Sequence, residues 1–153
     1  MAISQALTTS FFQQVLEGVH DFRALGGDTF KVALYSSTAN LGPATTAYTA
    51  TGEVSATGYT AGGATLTCVA PTSSGLVAYT NFSNVSWTAN ISAAAALIYN
   101  TTPAHTYTNP SVMVLSFGFT RQSVSGVFTL TMPSLGPQSA LIRLGSVSQP
   151  QGY

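Results

Sequence analysis

Charge is what this chain has least of. Charged residues make up 5% of it, four basic and four acidic, and no Asp, Glu, Lys or Arg occurs from Val54 to Thr120. Soluble domains ordinarily carry about 25% charged residues, so this surface is built from Thr, Ser, Asn, Gly and Ala instead. A neutral, hydroxyl-rich surface with a formal net charge of zero offers little repulsion between copies and favours association. No cluster of Lys or Arg is present to neutralise phosphates, which argues against nucleic-acid binding.

Other scarcities narrow the field further. Cys68 is the one cysteine, so neither an intramolecular disulfide nor a cysteine metal cluster is expected. Its strand-like setting, Ala64–Val69, reads it as a small buried hydrophobe. The most apolar run, Ala93–Tyr99, is far shorter than the roughly 20 residues of a spanning helix, and no membrane partner is expected. At the start, MAISQALTTSFF lacks the basic region and continuous apolar run of a secretory signal. Catalytic signatures are missing as well: no G-x-S-x-G, H-E-x-x-H, phosphate loop or calcium loop occurs. All four side-chain carboxylates, Glu17, Asp21, Asp28 and Glu53, fall within residues 17–53. His20 and His105 stand far apart. Tyr59–Gly63 is glycine-rich but precedes no helix that would hold a phosphate, and reads as a turn. The expectation is a protein that is not an enzyme and needs no cofactor or metal.

What the chain does have is pattern. Ile3, Leu7, Phe11, Val15, Val19 and Phe22 recur at three- and four-residue steps, which predicts an amphipathic N-terminal helix. Ser4 or the Thr8–Ser10 group would cap it, and Gly26-Gly27 would end it. Its stripe packs onto the domain or, with Phe12 beside it, docks on a neighbouring subunit. From Phe30 onward the period becomes that of strands. Phe30–Ser36, Ala64–Val69, Leu76–Phe82, the Val85/Trp87 alternation, Ala94–Tyr99, Val112–Phe117, Gly126–Met132 and Ala140–Leu144 are each bounded by turn residues. About eight short strands of this kind predict an all-β domain, a β-sandwich or jelly-roll-like fold. Ala94–Tyr99 is too apolar to be exposed on either face. Asn40–Tyr59 resists assignment, and Thr101–Pro110 reads as a surface loop. The expected organisation is a helix over 1–25, a sandwich over 26–144 and an extended tail over 145–153, of a kind usually frayed and, if ordered, held by a neighbour.

Strand aromatics, Trp87 included, are expected in the core. Tyr48, Tyr59, Tyr107 and Tyr153 fall in loops or the tail, where tyrosines make good contacts for protein or carbohydrate. Together with Phe11 and Phe12 they form the candidate partner-contact set.

Several segments taken together resemble a family of small virion structural proteins of tailed bacteriophages. They are Phe30–Leu34, Ala47-Tyr48, Glu53-Val54 and Gly58–Gly63, with Leu16–Phe22 before them. Trp87, Ala96–Asn100, Phe117-Gly118 and Gly126–Pro133 follow, so the similarity spans nearly the whole chain. Its motifs are structural punctuation rather than chemistry, and it implies no catalytic residues. The loop Thr101–Asn109 is longer than the family pattern. The resemblance implies a virion component assembled in the host cytoplasm, in multiple copies or as a homo-oligomer, preferably a decoration or cement protein on the major capsid protein. A tail, collar or fibre-associated component is the next reading. From another class comes a carbohydrate-binding adhesin using Trp87 and the loop tyrosines.

Overall fold

The computed structural model describes residues 2–104 and 106–145. Among these residues the chain forms ten strands in antiparallel sheets and a single helix, the all-β class its alternating segments predict. Five strands make the main sheet: β1 (Ala6–Leu7), β2 (Phe30–Tyr35), β3 (Ala64–Thr65), β7 (Ser92–Asn100) and β8 (Ser111–Gln122). Their order is β1-β8-β7-β2-β3. A three-stranded sheet is built from β4 (Cys68–Ser74), β5 (Val77–Phe82) and β10 (Ile142–Gly145), with β5 in the centre. The last pair is β6 (Val85–Thr88) with β9 (Val127–Leu130).

Alternation along the strands decides the layers. On β2, Phe30, Val32 and Leu34 face a core they share with Ala96 and Ile98 of β7. The small sheets close that core with Phe82, Trp87, Phe128, Leu130 and Ile142. The opposite face of the main sheet carries Ala33, Tyr35, Leu97, Tyr99 and Val114, and it too is buried, against Ala39, Leu41, Ile3 and Tyr48. Those covering residues come from the N-terminus and from the 36–63 excursion, which contains the segment Asn40–Tyr59 that the sequence pattern leaves unassigned. This is why Ala94–Tyr99 is apolar throughout: protein covers both of its faces. Leu97 and Ile98, neighbours that point in opposite directions, are both fully buried.

The N-terminal segment corrects the predicted helix. Only Thr9–Leu16 is helical, as α1, and its N-cap residue Thr8 makes no side-chain capping bond. The Thr8 hydroxyl turns instead to the Ser111 carbonyl at 3.2 Å. Ala6 and Leu7 pair with Val114 and Met113 on the edge of β8, because the open edge of a buried sheet must have its backbone groups satisfied. Gly18 stops the helix with φ +71°, a left-handed position that glycine adopts without penalty. Phe11 and Val19 nonetheless turn inward and are fully buried, and Leu7, Val15 and Phe22 pack against the same core. The apolar stripe is real, but three backbone conformations carry it.

Two further boundaries differ from expectation. Ala64–Val69 is not one strand: Ala64–Thr65 pairs with β2, whereas the chain from Cys68 onward joins β5 in another sheet. Val112–Phe117 extends to Gln122, with register shifts opposite Ala93–Ala95 that keep β8 paired to β7 around Gly118. At the start of β3, Gly63 crosses β2 so closely that a Cβ there would lie 1.8 Å from the Val32 carbonyl oxygen.

Candidate functional site

A dense polar cluster among the described residues is centred on Glu53. Its Oε1 accepts from the Tyr59 hydroxyl at 2.7 Å and from the Gly62 N–H at 2.7 Å, and its Oε2 accepts from the Tyr48 hydroxyl at 2.6 Å. The Tyr59 oxygen in turn accepts the Leu34 N–H of β2 at 2.9 Å. Tyr35 donates to the Thr49 carbonyl and Tyr99 to the Gly62 carbonyl, both at 2.6 Å. The Tyr48 ring stacks on Tyr99 with centroids 4.8 Å apart. Burial, then the Glu53 carboxyl, pushes the Tyr48 hydroxyl up to about 12, and burial raises Tyr35 and Tyr59 as well. Such hydroxyls stay protonated near neutral pH. With both carboxyl oxygens engaged, the cluster is a clasp that ties the 36–63 excursion onto β2 and β7.

A second polar node lies under α1. Asn100, fully buried, donates through Nδ2 to Asp28 Oδ2 at 2.7 Å and to His20 Nδ1 at 3.0 Å. The other imidazole nitrogen, Nε2, faces Gln14 Oε1 at 2.9 Å. An amide nitrogen only donates and an amide oxygen only accepts, so the ring is neutral with its proton on Nε2. Burial among Phe11, Phe22 and Phe30 pulls His20 down to about 4, with the Asp28 carboxylate opposing. Both histidine nitrogens are occupied, which leaves the ring a structural joint.

The candidate contact residues divide. Phe11 is fully buried; it is a core residue and offers no surface to a partner. Tyr48 and Tyr59 turn their hydroxyls inward to Glu53 as described, and Tyr59 also packs by Trp87. Phe12 is 47% exposed on the outer side of α1, and Leu16, one turn later, is 89% exposed. Tyr107 reaches the helix end from the 101–110 loop and donates to Glu17 Oε2 at 2.6 Å. Phe12 and Leu16, four residues apart, therefore lie along one helix edge, and Tyr107 meets the helix at Glu17. The sequence stripe missed Leu16, although its position four residues after Phe12 is the signal that finds it. Tyr153 and His105 lie outside the described residues.

Trp87 is buried, 6% exposed, edge-on to Phe128. Cys68 is half-buried, and burial pushes its thiol up to about 11. Among the described residues no group of three or more His, Cys, Asp or Glu side chains could hold a metal ion, and no helix is long and apolar enough to cross a membrane. No family model, curated protein or solved structure matches the chain.

Proposed function

We propose that this chain is a non-enzymatic structural component of a tailed-phage virion, a decoration or cement protein held to the capsid by the outer edge of α1. The observation that carries the proposal is the pair Phe12 and Leu16, left exposed on a helix whose other side is anchored by fully buried Phe11. Apolar anchors on a rigid base are what a protein interface uses. A charge-poor surroundings lowers the electrostatic cost of packing many copies against one lattice. The resemblance supports the same reading. In this chain the segments that carry it, Ala47-Tyr48, Glu53-Val54 and Gly58–Gly63, supply the clasp around Glu53.

A tail, collar or fibre-associated position is the alternative within the virion. The adhesin reading is weaker, because Trp87 lies inside the sandwich and presents no ring face to a sugar.

The test uses the full chain carrying Phe12→Asp together with Leu16→Asp. Its melting temperature should stay within about 3 °C of the parent, since surface changes cost little, while its recovery in particles falls at least about tenfold, as loss of interface anchors requires. Recovery equal to the parent, or absence of the parent chain from particles by mass spectrometry, would sink the proposal.

A further inference from the structure

Near the end of β8, Arg121 is held over two aromatic rings. Its guanidinium carbon lies 5.3 Å from the Phe117 ring centroid and 5.8 Å from that of Phe128, both within cation–π range. The base is rigid, because Phe128 is buried and packs edge-on to Trp87. The rings stabilise the charge, but the N–H donors lie in the guanidinium plane and match a carboxylate in a bidentate fork. Among the described residues the Arg121 guanidinium has no ion-pair or hydrogen-bond partner.

Beside it lies a hollow of about 210 Å³, bounded by Arg121, Gln122, Val124, Val127, Phe128 and Thr129. Val124 and Val127 are exposed, so the wall next to the cation is aliphatic, and a hollow of this size has room for one side chain. We propose that Arg121 and this hollow bind a carboxylate side chain of a partner protein, an Asp or Glu flanked by an aliphatic residue.

Charge complementarity carries the assignment. The chain has no acidic residue after Glu53, and its four side-chain carboxylates are each bonded elsewhere. Glu17 accepts from Gln13 and Tyr107, Asp21 pairs with Arg23, Asp28 accepts from Asn100, and Glu53 accepts from Tyr48 and Tyr59. A second copy would have to break one of these sets to fill the site, whereas a different protein need not. Val124 and Val127 would exclude water beside the ion pair, and a lower local dielectric strengthens the fork. The site is separate from the edge of α1: β8 meets the N-terminal segment at Met113 and Val114 and carries Arg121 near its other end. Binding here therefore does not depend on the virion reading, and no particle is needed to measure it.

The probe is the capped peptide acetyl-Val-Glu-Val-amide, titrated into the full chain and followed by nuclear magnetic resonance at the Arg121 Nε–H and the Val127 methyl groups. Both signals should shift saturably. The isosteric acetyl-Val-Gln-Val-amide should bind at least about tenfold more weakly, since it lacks the charge; this comparison needs no variant. Arg121→Lys keeps a cation but loses the fork, and should weaken binding of the glutamate peptide at least about fivefold. Equal binding of the two peptides, or unchanged binding in Arg121→Lys, overturns the proposal. So does acetate bound as tightly as the glutamate peptide, because the aliphatic wall then selects nothing and the ligand is a free carboxylate. An Arg121 signal that moves on dilution of the protein alone also overturns it, by placing a second copy's carboxylate in the site.

Discussion

Removing the Glu53 carboxylate strands three donors at once, the Tyr48 and Tyr59 hydroxyls and the Gly62 N–H. Buried donors without partners are costly, so Glu53→Ala should lower stability by about 2–4 kcal/mol in chemical denaturation. Glu53→Gln keeps an acceptor and should cost less than half of that. His20 gives the second residue-scale expectation. Its folded pKa, about 4, lies below the ordinary 6.5, so between those values the unfolded chain binds a proton that the folded one refuses. Stability from this ring is fully present above pH 6.5 and is lost as pH falls toward 4. After allowance for solvent screening its contribution is about 1–2 kcal/mol. A ring titration followed by proton resonance should show a midpoint near 4; one near the ordinary value would mean that the Asn100–His20–Gln14 chain of bonds does not persist in solution.

Elements in this fold are held by what crosses them. The 36–63 excursion contributes almost no regular structure, yet with Ile3 it covers one face of the main sheet through Ala39, Leu41 and Tyr48. Its return depends on Gly63, where the chain has φ +76° and passes the Val32 carbonyl too closely for any side chain. Gly63→Ala should therefore cost about 3 kcal/mol or more, seen as a depressed melting temperature with the strand content of the remainder conserved. The β6–β9 pair depends on packing, since Trp87 lies opposite Phe128 in register and against its ring. Trp87→Ala opens a cavity there and should cost about 3–5 kcal/mol, read from the denaturant midpoint.

For the whole molecule, sparse charge sets how it meets other proteins. Among the described residues Arg23 and Asp21 form an ion pair that is exposed and adds little to stability. Association through Phe12 and Leu16 would be driven by apolar burial, so particle binding should change by less than about threefold between low and high salt. A steep loss of binding with salt, measured by co-sedimentation, would point to a charged contact instead.

Composition and alternation in the sequence were enough to determine the class of fold, most of the strands, the burial of Trp87 and the two-sided burial of Ala94–Tyr99. These follow from local periodicity and hydrophobic burial, which each segment states for itself. The extent of α1 was not legible, because residues spaced three and four apart can turn inward from a strand, a helix or a loop alike, and Ala6–Leu7 is drawn into the sheet by the open edge of β8. Nor could the sequence show that Tyr48 and Tyr59 point inward, since their partner is one carboxylate whose reach is set by how the excursion folds back over β2. Phe11 and Phe12 make the same point at closest range: adjacent and chemically identical, one is fully buried and the other half-exposed. A helix turns by about 100° per residue, and only packing against the sheets decides which of the two faces the core.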